Sequence, residues 1–154
     1  MSGMNLAQVY AANPVTTVGD TDLLYLDAGA TTDAAITGAN FKTAMRIRNV
    51  NQNSSSATLA ANSRYATNNG ASLVTYTIPA GAAVGDTYII VGGSSGGWTV
   101  AQPASVQCHL GTSATTSGVG GSFSSSNQYD CCIITCVASN VFTVYGIQGE
   151  LTVV

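Results

Sequence analysis

The chain is nearly without charge. Four Lys and Arg, seven Asp and Glu and one His among 154 residues leave 7% charged, against about 25% in an ordinary soluble domain. Four cations and a net charge of −3 provide no basic footprint for nucleic acid. Long apolar runs are missing as well. None approaches the ~18 residues that cross a bilayer, so no membrane insertion is expected. Residues 1–15 hold neither a basic segment nor a continuous apolar one, so Sec export is not indicated. Disorder is not expected either, since 45% of residues are hydrophobic.

What is present is hydroxyl and amide. Ser, Thr, Asn and Gln account for 52 residues, and they must form most of the surface. All four cations, Lys42, Arg46, Arg48 and Arg64, fall between 42 and 64; beyond them only Asp86, Asp130 and Glu150 carry charge. The polar stretch 49–56 marks a boundary. Residues 1–50 form an N-terminal attachment or assembly segment, and 51–154 form a β-rich head. In the first part 22–27 reads as a strand, and Thr37 caps a brief helix over 38–45.

The head reads as strands throughout. Val74, Tyr76 and Ile78 alternate with Thr75 and Thr77. Further strands are expected at 86–92, 98–102, 105–110, 130–138, 141–145 and 150–154, with Ser139-Asn140 as a two-residue hairpin turn. Short strands at such spacing indicate a mainly β fold, an antiparallel β-sandwich or jelly roll. Strand 131–137 is nearly apolar on both sides, with Cys131, Ile133 and Val137 on one and Cys132, Ile134 and Cys136 on the other. A strand of this kind needs cover on both faces. A subunit interface would supply it, which makes Cys131, Ile133 and Val137 candidate interface residues; the alternative is a central strand covered by a long loop of its own chain.

Cys131, Cys132 and Cys136 do not pair within this strand, and Cys108 could reach one of them only through tertiary packing. Cys132 and Cys136 lie roughly 13 Å apart along an extended chain, whereas a disulfide needs Cα atoms within about 7 Å. Free, buried thiols are expected. Cys108 and His109 diverge on a strand, which is poor geometry for a shared ion. No metal or cofactor is expected.

Gly92-Gly93-Ser94-Ser95-Gly96 matches the nucleophile-elbow pattern, which needs a strand-to-helix turn. Here a strand, Trp98-Thr99-Val100, follows, and no acid lies between Ser94 and His109. A Gly/Ser hairpin loop is expected in its place, and no enzyme activity. Exposed aromatics beside amides suit sugar recognition. Tyr65 with Asn68 and Asn69, and Tyr129, are the candidate receptor-binding residues.

Several segments resemble phage tail-fibre-like attachment proteins. Upstream these are Asn13-Pro14-Val15, Asp20-Thr21-Asp22-Leu23-Leu24-Tyr25-Leu26, and the run from Asp33 to Phe41. Downstream they are Thr77-Ile78-Pro79, Val84-Gly85-Asp86, Gly96-Gly97-Trp98, Thr115-Thr116-Ser117-Gly118, Gly120-Gly121-Ser122, and Gly149-Glu150-Leu151-Thr152-Val153. The resemblance implies a homotrimer on a virion or extracellular appendage. Its N-terminal segment would hold a neighbouring particle subunit, and its head would bind a cell-surface glycan without catalysis. The alternative is a self-assembling filament or capsid-decoration subunit with no receptor role.

Overall fold

The computed structural model describes residues 46–154 and, before them, two short strands. The chain divides into two units, Met1–Arg46 and Ile47–Val154. In the first unit β1 (Leu23–Leu26) and β2 (Ala34–Thr37) pair antiparallel, Leu23 opposite Thr37 and Leu26 opposite Ala34. β1 is the strand expected at 22–27. The helix expected over 38–45 lies outside the described residues.

The second unit contains twelve strands. They are β3 (Arg48–Gln52), β4 (Ser56–Thr58), β5 (Ser63–Thr67), β6 (Val74–Thr77), β7 (Thr87–Gly92), β8 (Trp98–Ala101), β9 (Gln107–Leu110), β10 (Ser113–Ala114), β11 (Ser122–Ser125), β12 (Cys131–Ala138), β13 (Val141–Gln148) and β14 (Leu151–Val153). One sheet has the order β10-β9-β13-β12-β7-β5-β3, the other β14-β11-β8-β6-β4. The fold is mainly β, as the strand pattern indicates. The period-2 pattern is direct: half-buried and buried side chains alternate along β7 and over the first six residues of β12.

Pairing is mixed, not wholly antiparallel. The first six strands of this unit alternate between the sheets, so the chain winds as a flattened coil of three turns. It re-enters each sheet only after a pass through the other, which makes β3, β5 and β7 parallel, and likewise β4, β6 and β8. The direct return through Ser139-Asn140 gives the expected antiparallel hairpin β12–β13, with Asn140 at a φ of 61°. The polar stretch 49–56 is itself part of the sandwich. It forms β3 and opens β4, strands at the edge of each sheet, where a polar outer side is compatible with pairing on one flank only. The 93–97 loop is not a hairpin either. It carries the chain from β7 in one sheet to β8 in the other.

The core lies between the sheets. Tyr65 and Tyr76, from opposite sheets, meet edge to face at 5.3 Å, and the Tyr76 hydroxyl lies 2.8 Å from Thr67 Oγ1. Trp98 and Phe123 cross at 6.1 Å. Tyr65 is thus a core residue, 2% exposed, and not a receptor contact. Its position in β5 directs the ring inward, and its hydroxyl accepts the Ala60 N–H at 2.8 Å. Gln102 ties the connection that leads into β9 to the one that follows β10: its buried Nε2 donates to the carbonyls of Val106 and Thr116, at 2.8 and 3.1 Å.

All four cysteines are free. Cys108, Cys132 and Cys136 are buried, and Cys131 is half-buried. Burial disfavours the thiolate, raising Cys108 to about 12 and pushing Cys132 up as well. The folded chain therefore keeps these thiols protonated where an unfolded one ionises, near about 8.5. The stability this contributes is complete below that pH and is lost as pH rises toward the folded values. Denaturation midpoints should be level near neutrality and fall steadily in alkali; a flat alkaline limb would mean the thiols are not buried. A thiol reagent should label Cys108, Cys132 and Cys136 only after unfolding.

Candidate binding loops and interface face

Three connections converge at one end of the sandwich, where β5 and β7 finish and β12 begins. They are residues 68–73, 93–97 and 126–130. Gly93 N–H donates to Thr67 O at 2.9 Å, Gly96 N–H to Gly70 O at 2.9 Å, and Gln128 Nε2 to Gly93 O at 3.1 Å. Asn68 donates its side-chain amide to Asn51 Oδ1. Gly93 must be a glycine here, because a Cβ would collide with Asn68 Oδ1 and Thr67 O. β3 begins at the opposite end of its sheet, so the chain enters this unit away from these loops.

A single buried residue fixes the geometry. Asp130 Oδ2 accepts the N–H groups of Ser126 and Asn127, at 2.9 and 2.8 Å. Its backbone carbonyl accepts Trp98 Nε1–H and Gly92 N–H, both at 3.0 Å. The tightness of this turn places Tyr129 at a φ of 72° while leaving it 68% exposed. A bulky residue in the left-handed region is strained by about 1–3 kcal/mol, and persists only where its surroundings over-determine it.

Of the four residues expected to contact a receptor, Asn68 and Tyr129 reach this end as exposed side chains. Asn69 is half-buried, with its carbonyl accepting Ser72 N–H at 3.2 Å. Tyr65 is excluded by its burial. Asn51 and Gln128 were not legible as members. Asn51 joins Asn68 only through the parallel register of β3 on β5, whereas Gln128 had a signal in its adjacency to Tyr129.

The outer face of the seven-stranded sheet is a separate feature. Register builds the row Asn49–Arg64–Ile89–Ile133–Tyr145 and, beside it, Asn51–Ala66–Val91–Cys131–Gln148. Ile89, Val91, Cys131 and Ile133 are half-buried, and Tyr145 is exposed. Val137 sits at the bulge between Cys136 and Ala138 and is 48% exposed. All three expected interface residues therefore lie on the outward side of β12, while Cys132, Ile134 and Cys136 fill the core. The centre of the face is apolar, and its only cation is Arg64.

The Ser94 hydroxyl is buried without a hydrogen-bond partner, and it follows the finish of β7. His109 is level with Thr87, where β7 starts, through Thr143 and Thr135. Serine and histidine therefore stand toward opposite ends of the sheet and three strands apart, which does not make a nucleophile–base pair. Among the described residues no cluster of His, Cys, Asp and Glu could hold a metal ion. These features define a two-sheet β-sandwich with an aromatic-and-amide loop cluster at one end. Neither a protein-family model nor a curated protein matches the chain.

Asp130→Ala would leave two backbone N–H groups without their acceptor and should cost about 2–3 kcal/mol in chemical denaturation. Gly149→Ala should cost about 3 kcal/mol or more: its φ is 93°, and the new methyl would strike the Asp130 carboxylate. Tyr129→Gly, which relieves strain without touching the core, should stay within about 1 kcal/mol of the parent. If Asp130→Ala proved neutral, another group would have to be holding the turn.

Proposed function

We propose that this protein is a non-enzymatic attachment protein of a virion or extracellular appendage. Three copies form a β-rich head that recognises a cell-surface glycan, and the first fifty or so residues hold a neighbouring subunit of the particle. The observation that carries this reading is the outward apolar centre of the seven-stranded sheet, at Ile89, Val91, Cys131, Ile133 and Tyr145. In an antiparallel or mixed sheet a face left to water is ordinarily polar. Covering this one against further copies of the chain gains roughly 25 cal/mol for each Å² of apolar surface removed from water. The threefold stoichiometry comes from the tail-fibre resemblance. The recognition role is supported by the loop cluster, which lies at the end opposite the point where the chain enters the unit.

Light scattering of the full chain should give three times the chain mass of 15.5 kDa. Ile133→Asp should reduce this to a folded monomer with an unchanged circular dichroism spectrum. A chain starting at Ile47 preserves all of β3, and it should stay β-rich and trimeric, bind cells, and fail to join particles. A wild-type monomer over a wide concentration range would end the trimer reading.

A further inference from the structure

We propose that the loop cluster around Tyr129 is a binding site for a neutral carbohydrate, with the Tyr129 ring as its stacking platform and the Gln128, Asn68 and Asn51 amides at its rim. This rests on the attachment reading and specifies where and what the head binds.

Four observations converge. First, Tyr129 is a large aromatic held 68% exposed at a φ of 72°. A glycine would serve the turn without strain, so the strain accompanies display of the ring and not the turn itself. Second, the display is rigid. Four hydrogen bonds to Asp130 fix the adjoining backbone to Trp98, Gly92, Ser126 and Asn127. Little ordering remains to be done on binding, which favours affinity. Third, the flanking amides retain capacity. Gln128 uses one N–H on Gly93 O, and Asn68 uses one N–H on Asn51. Among the described residues, the second N–H of each of these side chains, the Oδ1 of Asn68 and the Oε1 of Gln128 accept or donate no other hydrogen bond. Sugar hydroxyls both donate and accept, which matches this set.

The fourth observation selects among ligands. Residues 68–73, 93–97 and 126–130 contain one formal charge, Asp130. It is 4% exposed, and its carboxylate is occupied by two backbone N–H groups. No cation is offered to a sialic or uronic acid, and the one exposed carboxylate bordering the loops is that of Glu150, whose backbone carbonyl accepts Ser126 N–H at 3.1 Å. A pyranose presents an apolar C–H face to an aromatic ring and a hydroxyl rim to amides, and needs neither charge.

The test uses the full chain on an array of neutral hexose and N-acetylhexosamine oligosaccharides, with sialylated and uronic-acid glycans alongside. In parallel it is bound to intact cells, before and after periodate or protease treatment. Wild type should bind at least one neutral glycan equally well at low and high salt. Tyr129→Ala should weaken this about ten-fold, as loss of one aromatic platform, and Tyr129→Phe should restore most of it. Gln128→Ala should weaken it less. Native mass and melting midpoint should not move in any variant. The site is overturned if only acidic glycans bind, if Tyr129→Ala binds as well as wild type, or if protease but not periodate abolishes cell binding. In the first two cases the glycan-attachment reading stands; in the third, untreated cells are still bound, but through a protein, and the glycan part of that reading falls with the site. If wild type binds neither glycans nor cells, both fall.

Discussion

Asp130 is the residue on which the loop end of the sandwich depends. Through its carbonyl it joins β7 and the β8 tryptophan, which belong to different sheets, to the start of β12. Through its carboxylate it closes the turn that carries Tyr129. A buried carboxylate is costly unless its oxygens are hydrogen-bonded, and here two backbone donors meet one oxygen. The same contact explains why Gly149 admits no side chain: the final crossing from β13 to β14 passes directly over the carboxylate. One residue thus ties together both sheets, the exposed aromatic and the closing segment of the chain.

The coil of six alternating strands explains how so little charge supports a defined fold. Each pass through a sheet contributes inward residues at alternate positions, and facing positions from the two sheets interdigitate. The Tyr65–Tyr76 pair and the Thr67–Tyr76 hydrogen bond connect neighbouring passes across the core. Satisfied buried hydroxyls of this kind fix register, because a slip of β5 by one residue would turn Ser63, Tyr65 and Thr67 outward together. The outer sides are then free to be Thr, Ser and Asn over most of the surface. The apolar rows on β7, β12 and β13 interrupt that pattern, and the assembly reading turns on this interruption.

Two regions of the protein therefore carry separate roles in the proposed reading. The sheet face meets other copies, and the loop end meets a sugar. They touch at Asn51 and Cys131, whose row borders the loops. A trimer closed through the face would bring three copies of the loop end into one assembly. Weak single-site carbohydrate affinity then becomes firm attachment through multivalency.

The sequence by itself determined the class of fold and much of the strand list. Period-2 alternation and turn residues are local signals, and they located β6, β7, β8, β12 and β13 and the Ser139-Asn140 turn. They also marked β12 as apolar on both faces, and Asn68 and Tyr129 as candidate contacts. Tertiary structure decided the rest. β3 and β4 are edge strands in a stretch rich in Asn and Ser, so composition marked it as a boundary and gave no strand signal. Parallel pairing arises from alternation between two sheets, which no local pattern encodes. Tyr65 and Tyr129 are both tyrosines near amides in sequence, yet one fills the core and the other stands exposed. The difference is set by which side of β5 faces the opposite sheet and by a turn that Asp130 closes, and both follow from contacts between residues distant along the chain.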